Sequence, residues 1–402
     1  MGRRKPIISG AFTGDSRELI KKLPARSVQC VVTSPPYWAL RDYGDGKRPG
    51  LMGLEPTVHD YVAAVVDFFR EVKRVLRKDG SVWLNMGDTY TQGGRGSAGA
   101  SFKGWGVRKY QNAGPAMDAV GGVIKVEGMG RKQLIGVPWR VALALQDDGW
   151  LLRTEVIWDK PNATPESVPD RPQRSHEYLF LLSRSTKYYY DKYAVTCPVT
   201  GSAHPRGAGV HPKAETAPDH TRSNSSFSSA VRDLVDRRLM RTVWSIPTQP
   251  CPNAHFATFP EDLVAPCVML STPPMCCGVC GKPWKRLVKV AYTNPGGRTT
   301  NGPRARERSE RRSFEKRLER SIETVGWEPV CRHRDPSGRS IVLDPFFGTG
   351  TVGRVAEDHG RNWIGFELNP DYEKFWRRRT SQIAFPGLEE GWPTNAQEKG
   401  TA

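Results

Sequence analysis

The run Thr33-Ser34-Pro35-Pro36-Tyr37-Trp38 places a hydroxyl, a proline pair and two aromatic rings directly after an apolar stretch, Val28 to Thr33. That order reads as a buried strand entering a loop, with Pro36 stiffening the turn. An amine conjugated to a heteroaromatic ring is a poor nucleophile, because its lone pair is drawn into the ring. The Ser34 hydroxyl and the Pro35 carbonyl can each accept one amine hydrogen and pull the nitrogen towards tetrahedral geometry. Tyr37 offers a face on which an extruded base can stack. Catalysis by such a site is positioning plus hydrogen bonding, with no covalent intermediate. A plain strand-to-loop turn can have the same residues, so this motif alone does not decide.

A second constellation lies near the other end of the chain. Asp344-Pro345-Phe346-Phe347-Gly348-Thr349-Gly350-Thr351 sits between the apolar run Ile341 to Leu343 and a helix expected from about Val352. Gly348 and Gly350 allow a tight turn and a close approach of backbone to ligand, where a Cβ is expected to clash. Trp363 to Glu367 reads as the next strand, ending in an acid suited to two ribose hydroxyls. The turn lacks the full dinucleotide spacing, and no lysine followed by Ser or Thr is present to cradle phosphate. A cofactor with a ribose and no pyrophosphate fits, and S-adenosylmethionine (SAM) is one.

Cys277 and Cys280 have the spacing that turns two thiolates onto one metal ion, and Cys331 with His333 can complete a tetrahedral set. The expected ion is a structural zinc, with Cys276 as a spare ligand. The chain has 8 cysteines. In the cytoplasm, where we expect it, these are better read as thiols or ligands than as disulfides.

The elements that position these groups follow from periodicity. Tyr61 to Leu76 has helical spacing, with Gly80 expected to stop the helix before a strand at Ser81 to Asn85. Val137 to Gln146 reads as a helix, and Trp150 to Trp158 and Glu177 to Leu182 as strands. Residues 91–130, rich in Gly and Ser, have no usable period and suggest a mobile loop over a site or a flexible insertion. Residues 196–229 read as a polar surface excursion, and the tail after Pro386 as loose.

At 402 residues the chain can bury one large α/β core and still carry insertions. Its formal net charge of +18 suits a polyanion, since lysines and arginines that neutralise phosphates release counterions. No apolar run approaches the roughly 18 residues of a membrane span, and the basic start is not followed by a signal-peptide core.

Taken together, the motifs resemble those of the DNA amino-methyltransferases, whose catalytic motif is Asp/Asn/Ser-Pro-Pro-Tyr/Phe and whose cofactor motif is a Phe-x-Gly-x-Gly turn. Having the catalytic motif first resembles the permuted β group of that family. Gly14-Asp15 with Leu23-Pro24, Ser81 to Tyr90, Ile157 to Asn162 and His255 to Pro260 also match family segments, in the expected order. The resemblance implies a class I SAM-dependent methyltransferase fold: a Rossmann-like, seven-stranded, mostly parallel sheet, from which this chain departs by the small zinc-ribbon-like insertion read from the Cys and His spacing. It implies Ser34, Pro35, Pro36 and Tyr37 at the target amine. It places Asp15, Thr33, Phe256, Thr258, Asp344, Pro345, Phe346, Gly348, Gly350, Thr351, Glu367 and Asn369 around SAM. Serine at the first motif position tilts the target towards N4 of cytosine, with N6 of adenine as the alternative.

The expected division is a catalytic half (1–192), a DNA-recognition region (193–250) bearing Arg206, Arg222, Arg232, Arg237, Arg238 and Arg241, a cofactor-closing segment (251–272), a zinc insertion (273–338), a SAM-binding half (339–385) and a tail (386–402). The charged run Arg304 to Arg320 reads as a solvated helix or arm. Double-stranded DNA is the expected partner, with a homodimer possible, no obligate protein partner and no membrane. RNA or glutamine methylation, or a non-catalytic zinc DNA-binding protein, are the competing readings; SAM binding separates the last from an enzyme.

Overall fold

The computed structural model describes residues 9–39, 51–91, 117–118, 123–124, 126–198, 237–249, 259–293 and 319–380. These fall into two units, one comprising Met1–Asp191, Arg241–Lys285 and Pro329–Ala402, the other Lys192–Met240 and Arg286–Glu328. Among the described residues, no helix is long and apolar enough to cross a membrane.

The first unit carries, in chain order, β1 (Gly10–Thr13), α1 (Ser16–Leu19), β2 (Val28–Thr33), α2 (Val58–Val75), β3 (Leu76–Met86), α3 (Val137–Asp147), β4 (Leu151–Asp159), β5 (His176–Ser183), β6 (Val243–Ser245), α4 (Glu261–Ser271), β7 (Ile341–Asp344), α5 (Thr351–Asp358), β8 (Asn362–Glu367) and α6 (Glu373–Arg379). The strands form an 8-stranded sheet in the order β1-β8-β7-β2-β3-β5-β4-β6. Only β5 runs antiparallel to its neighbours. The sheet is mostly parallel, as expected, and the three-residue β6 extends the expected seven strands at one edge.

All six residues of β2 are buried, which a central parallel strand covered on both faces requires. Side chains alternate between the faces. Val82, Leu84 and Met86 join α2 and α3 in the main core, while Trp83 points the other way and donates from Nε1 to Ser271 Oγ at the end of α4 (2.8 Å). Thr57 caps α2, its hydroxyl accepting from Asp60 N at 3.1 Å.

Gly80 differs from expectation. The helix ends at Val75, and Gly80 lies inside β3. A Cβ there stands 2.6 Å from the Gln29 carbonyl oxygen, beside the register shift between β2 and β3. Glycine is needed for close backbone approach across the sheet, not for stopping a helix.

In the second unit, Thr196–Pro198 pairs antiparallel with Arg237–Leu239, and Lys285–Thr293 pairs with Glu319–Glu328. Arg286 stacks on Trp327 at 4.6 Å and donates to Thr324 Oγ1 at 2.6 Å. Glu319 and Arg320, read as the end of a charged arm, belong to a strand. Of the polar excursion read at 196–229, residues 196–198 belong to a strand; 199–229, most of 91–130, residues 304–318 and the tail lie outside the described residues.

Candidate active site

The sheet brings the two distant motifs together. Strands β7 and β8 insert between β1 and β2, so the loops after β2 and β7 leave neighbouring carboxyl ends. That is where open parallel sheets bind ligands. One cavity of about 1050 Å³ spans the site. Ser34, Pro36 and Tyr37 line one end, Asp15, Gly348 and Glu367 the other, with Asp344, Pro345, Phe346 and Thr351 also on its wall. Pro35, between Ser34 and Pro36 in the turn, is buried.

At the first end, Ser34 Oγ donates to Tyr37 OH at 3.2 Å and Tyr37 OH donates to Glu177 Oε2 at 2.8 Å. Asn85 Nδ2 donates to both Tyr37 OH (2.8 Å) and Glu177 Oε2 (2.9 Å). Lys160 donates to Glu177 Oε1 and lies over the Trp158 ring at 4.3 Å. Burial pushes the Glu177 carboxyl up, but the Lys160 charge, its hydrogen bond and those of Asn85 and Tyr37 outweigh it and hold it below the usual glutamate value. A Cβ on Gly87 stands 2.6 Å from Tyr37 Cε2, so glycine makes room for the ring. Tyr61 OH donates to the Pro36 carbonyl at 3.0 Å and braces the turn.

At the second end, Glu367 Oε2 accepts from Gly348 N (2.7 Å) and Oε1 from Asn369 N (2.8 Å), while burial raises its pKa. Gly14 N donates to the Glu367 carbonyl at 2.8 Å, which draws the Asp15 segment alongside. Asp15 caps α1 by accepting from Arg17 N at 2.9 Å and pairs with the Arg17 guanidinium at 2.6 Å. Burial raises its pKa, and the Arg17 interactions reverse that to a net lowering.

Gly348 and Gly350 are needed for different reasons. Both have positive φ, +53° and +84°. A Cβ on Gly350 stands 2.6 Å from Trp376 Cβ, whereas one on Gly348 meets nothing within 4 Å. The expected clash therefore applies to Gly350, against this protein's own α6; at Gly348 the backbone dihedral demands glycine.

Several sequence-selected residues also have partners within the protein. Thr33 is buried and gives its hydroxyl to Asp344 Oδ1. Asn369 caps the short 3-10 turn Pro370–Tyr372. The Thr351 hydroxyl accepts from Arg379, as does that of Thr349, and Arg379 also reaches Glu261 at 2.6 Å. Phe256 and Thr258 lie outside the described residues. Glu177 and Arg379 were missed; a lone acid opening the apolar run of β5 is the signal that could have found Glu177.

Cys277, Cys280, Cys331 and His333 converge, with one ligand atom from each lying within 4.8 Å of every other. Cys276 is not a spare: its thiol meets Ser340 Oγ at 3.2 Å and is buried. All four converging residues belong to the first unit, whereas the strands at 286–293 and 319–328 belong to the second.

The parallel sheet, the Ser-Pro-Pro-Tyr turn and the glycine-rich loop after β7 define a class I SAM-dependent methyltransferase fold. The N6/N4 DNA methylase family model matches residues 28–279 and 328–377, and the chain belongs to that family of DNA amino-methyltransferases. It is similar to the type II methyltransferase M.SmaI of Serratia marcescens, 38% identical over 373 residues covering 92% of this chain and 91% of the relative. M.Cfr9I of Citrobacter freundii is 36% identical over 373 residues, covering 92% and 88%. Among solved structures, the PvuII DNA methyltransferase (cytosine-N4-specific) aligns with a TM-score of 0.49 at 16% identity over 94% of this chain and 89% of that one.

Proposed function

We propose that this protein transfers the methyl group of SAM to N4 of a cytosine flipped out of double-stranded DNA. One observation carries the reading: a single cavity has Ser34 and Tyr37 at one end and Gly348 and Glu367 at the other. Its volume, about 1050 Å³, admits a cofactor and a base together.

The residues present suit SAM. The Glu367 oxygens, already directed by two backbone N–H groups, retain lone pairs for ribose hydroxyls. Asp15 and Asp344 supply carboxyl groups around a cofactor that bears a sulfonium and an ammonium. When bound, SAM supplies an electrophilic methyl. Ser34 and the Pro35 carbonyl accept the amine hydrogens, and Tyr37 stacks on the base and holds the nitrogen in line. Serine at position 34 supports cytosine over adenine through the family pattern.

Cys277, Cys280, Cys331 and His333 are assigned to a structural zinc ion, three soft thiolates and an imidazole being a donor set that zinc favours. Their role is to tie residues 277–280 to residues 331–333 at the base of the insertion. The arginines of 193–250 are assigned to DNA, by phosphate or base-edge contacts.

The test is to incubate the protein with SAM and unmodified DNA, digest to nucleosides and identify these by mass spectrometry. N4-methylcytosine is expected. N6-methyladenine overturns the base assignment and keeps the enzyme class, and RNA or peptide methylation without DNA modification overturns the substrate.

A further inference from the structure

The base end of the cavity holds a hydrogen-bond chain whose direction is determined by its far end. An ammonium can only donate and an ionised carboxylate can only accept. Glu177 accordingly accepts from Lys160 on one oxygen and from Tyr37 OH (2.8 Å) and Asn85 Nδ2 (2.9 Å) on the other. With its one hydrogen given to Glu177, the Tyr37 oxygen accepts from Asn85 Nδ2 (2.8 Å) and Ser34 Oγ (3.2 Å). The single Ser34 hydrogen is thereby committed to Tyr37, and the Ser34 oxygen is left with lone pairs for a ligand.

We propose that Glu177, anchored by Lys160, is a positioning residue that sets the polarity of this chain, so that Ser34 meets the target amine as an acceptor. The inference rests on the reading that the amine lies at Ser34. A hydroxyl turned the other way presents hydrogen to hydrogen and withdraws the lone pair that pulls the nitrogen towards tetrahedral geometry. The groups facing Glu177 are Lys160 just beyond β4, Tyr37 from the turn after β2, and neutral Asn85 on β3. Its neighbour His176 is held below the ordinary histidine value by burial, then by the Arg174 charge, which favours its neutral form.

Glu177→Gln is the informative change, because an amide cannot accept on both sides. Its oxygen follows the Lys160 ammonium, its NH2 faces Tyr37, and the chain reverses to turn the Ser34 hydrogen towards the amine. Single-turnover methylation of duplex DNA with labelled SAM should slow by about 10- to 100-fold, the worth of one misdirected hydrogen bond, with SAM affinity unchanged. In Lys160→Met/Glu177→Gln the amide is free to turn its oxygen to Tyr37 and Asn85, and about tenfold of the rate should return. A purely structural ion pair predicts no such rescue. Tyr37→Phe keeps the ring and removes the middle link, so it too should slow transfer, and it supplies the test if Glu177→Gln fails to bind SAM. Glu177→Gln at the wild-type rate, a double variant no faster than Glu177→Gln, or Tyr37→Phe at the wild-type rate each overturns the proposal. Ser34→Ala at the wild-type rate removes the underlying reading, whereas a slow Ser34→Ala beside a fast Glu177→Gln removes the inference alone.

Discussion

The Thr33 hydroxyl donates to Asp344 Oδ1 across 2.8 Å, although the two residues stand 311 positions apart. The bond joins the carboxyl ends of two neighbouring strands, one leading to the Ser-Pro-Pro-Tyr turn and the other to the glycine-rich loop. Asp344 is fully buried, and burial pushes its pKa up to about 7; Thr33 and Phe346 N oppose the rise and the Glu367 charge adds to it. Between the ordinary aspartate value and about 7 the folded apo-protein keeps a proton that the unfolded chain has lost. Stability should therefore fall as pH rises through that window, then level off. Urea denaturation of the apo-protein at several pH values should show the slope, and Asp344→Asn should reduce it most near pH 7; an unchanged slope in that variant sinks the assignment.

The same carboxyl bears on cofactor affinity. A cation bound nearby favours the ionised form, so SAM should bind more tightly as pH rises through about 7. Calorimetric titrations on either side of that value measure this. A pH-independent affinity in the wild type argues against Asp344 lying beside the cofactor's charge.

Substitutions at the two loop glycines should separate folding from binding. Gly350→Ala sets a Cβ 2.6 Å from Trp376 Cβ at φ +84°, and should destabilise the fold by more than about 2 kcal/mol. Gly348→Ala has open space around its Cβ and should cost about 1 kcal/mol for the backbone conformation alone. Because that space belongs to the cavity wall, Gly348→Ala should weaken SAM binding out of proportion to its Tm. Equal Tm losses in the two variants contradict this division.

Glu367 should be intolerant even of glutamine. Each of its oxygens accepts a backbone hydrogen, from Gly348 and Asn369, so an NH2 on either side meets a donor. Glu367→Gln should lose SAM affinity by about 10- to 100-fold, nearly as much as Glu367→Ala. Retention of wild-type affinity in the glutamine variant is the outcome that defeats this reading.

Metal analysis should find one zinc per chain, retained in Cys276→Ser and lost or weakened in Cys277→Ser and Cys331→Ser. Strong chelation should lower Tm, since metal bound by the fold contributes to its stability. Zinc loss in Cys276→Ser contradicts the packing of that thiol against Ser340.

Much of the frame is legible in local pattern. The β-branched run before Ser34, the helical spacing of α2 and the strand–glycine turn–helix order from Ser340 to Trp376 each show in a few consecutive residues, because burial on one or both faces dictates residue type at short range. The same holds for the Cys-x-x-Cys spacing and for Cys331 with His333. Gly80 was misread for the complementary reason: a glycine after a helix reads as a stop, and its clash with the Gln29 carbonyl exists only once β2 and β3 are paired.

By itself, the sequence determined the motifs, their permuted order, the basic charge and the pairing of Cys277 and Cys280 with Cys331 and His333, whose ligand atoms converge. Only the tertiary structure decided that Thr33 serves Asp344, that Arg379 pins the Thr349 and Thr351 hydroxyls, and that Glu177 and Lys160 stand behind Tyr37. These are contacts between residues far apart in the chain. A hydroxyl or a carboxylate carries no local mark of its partner, and sheet order alone brings the two within hydrogen-bonding distance.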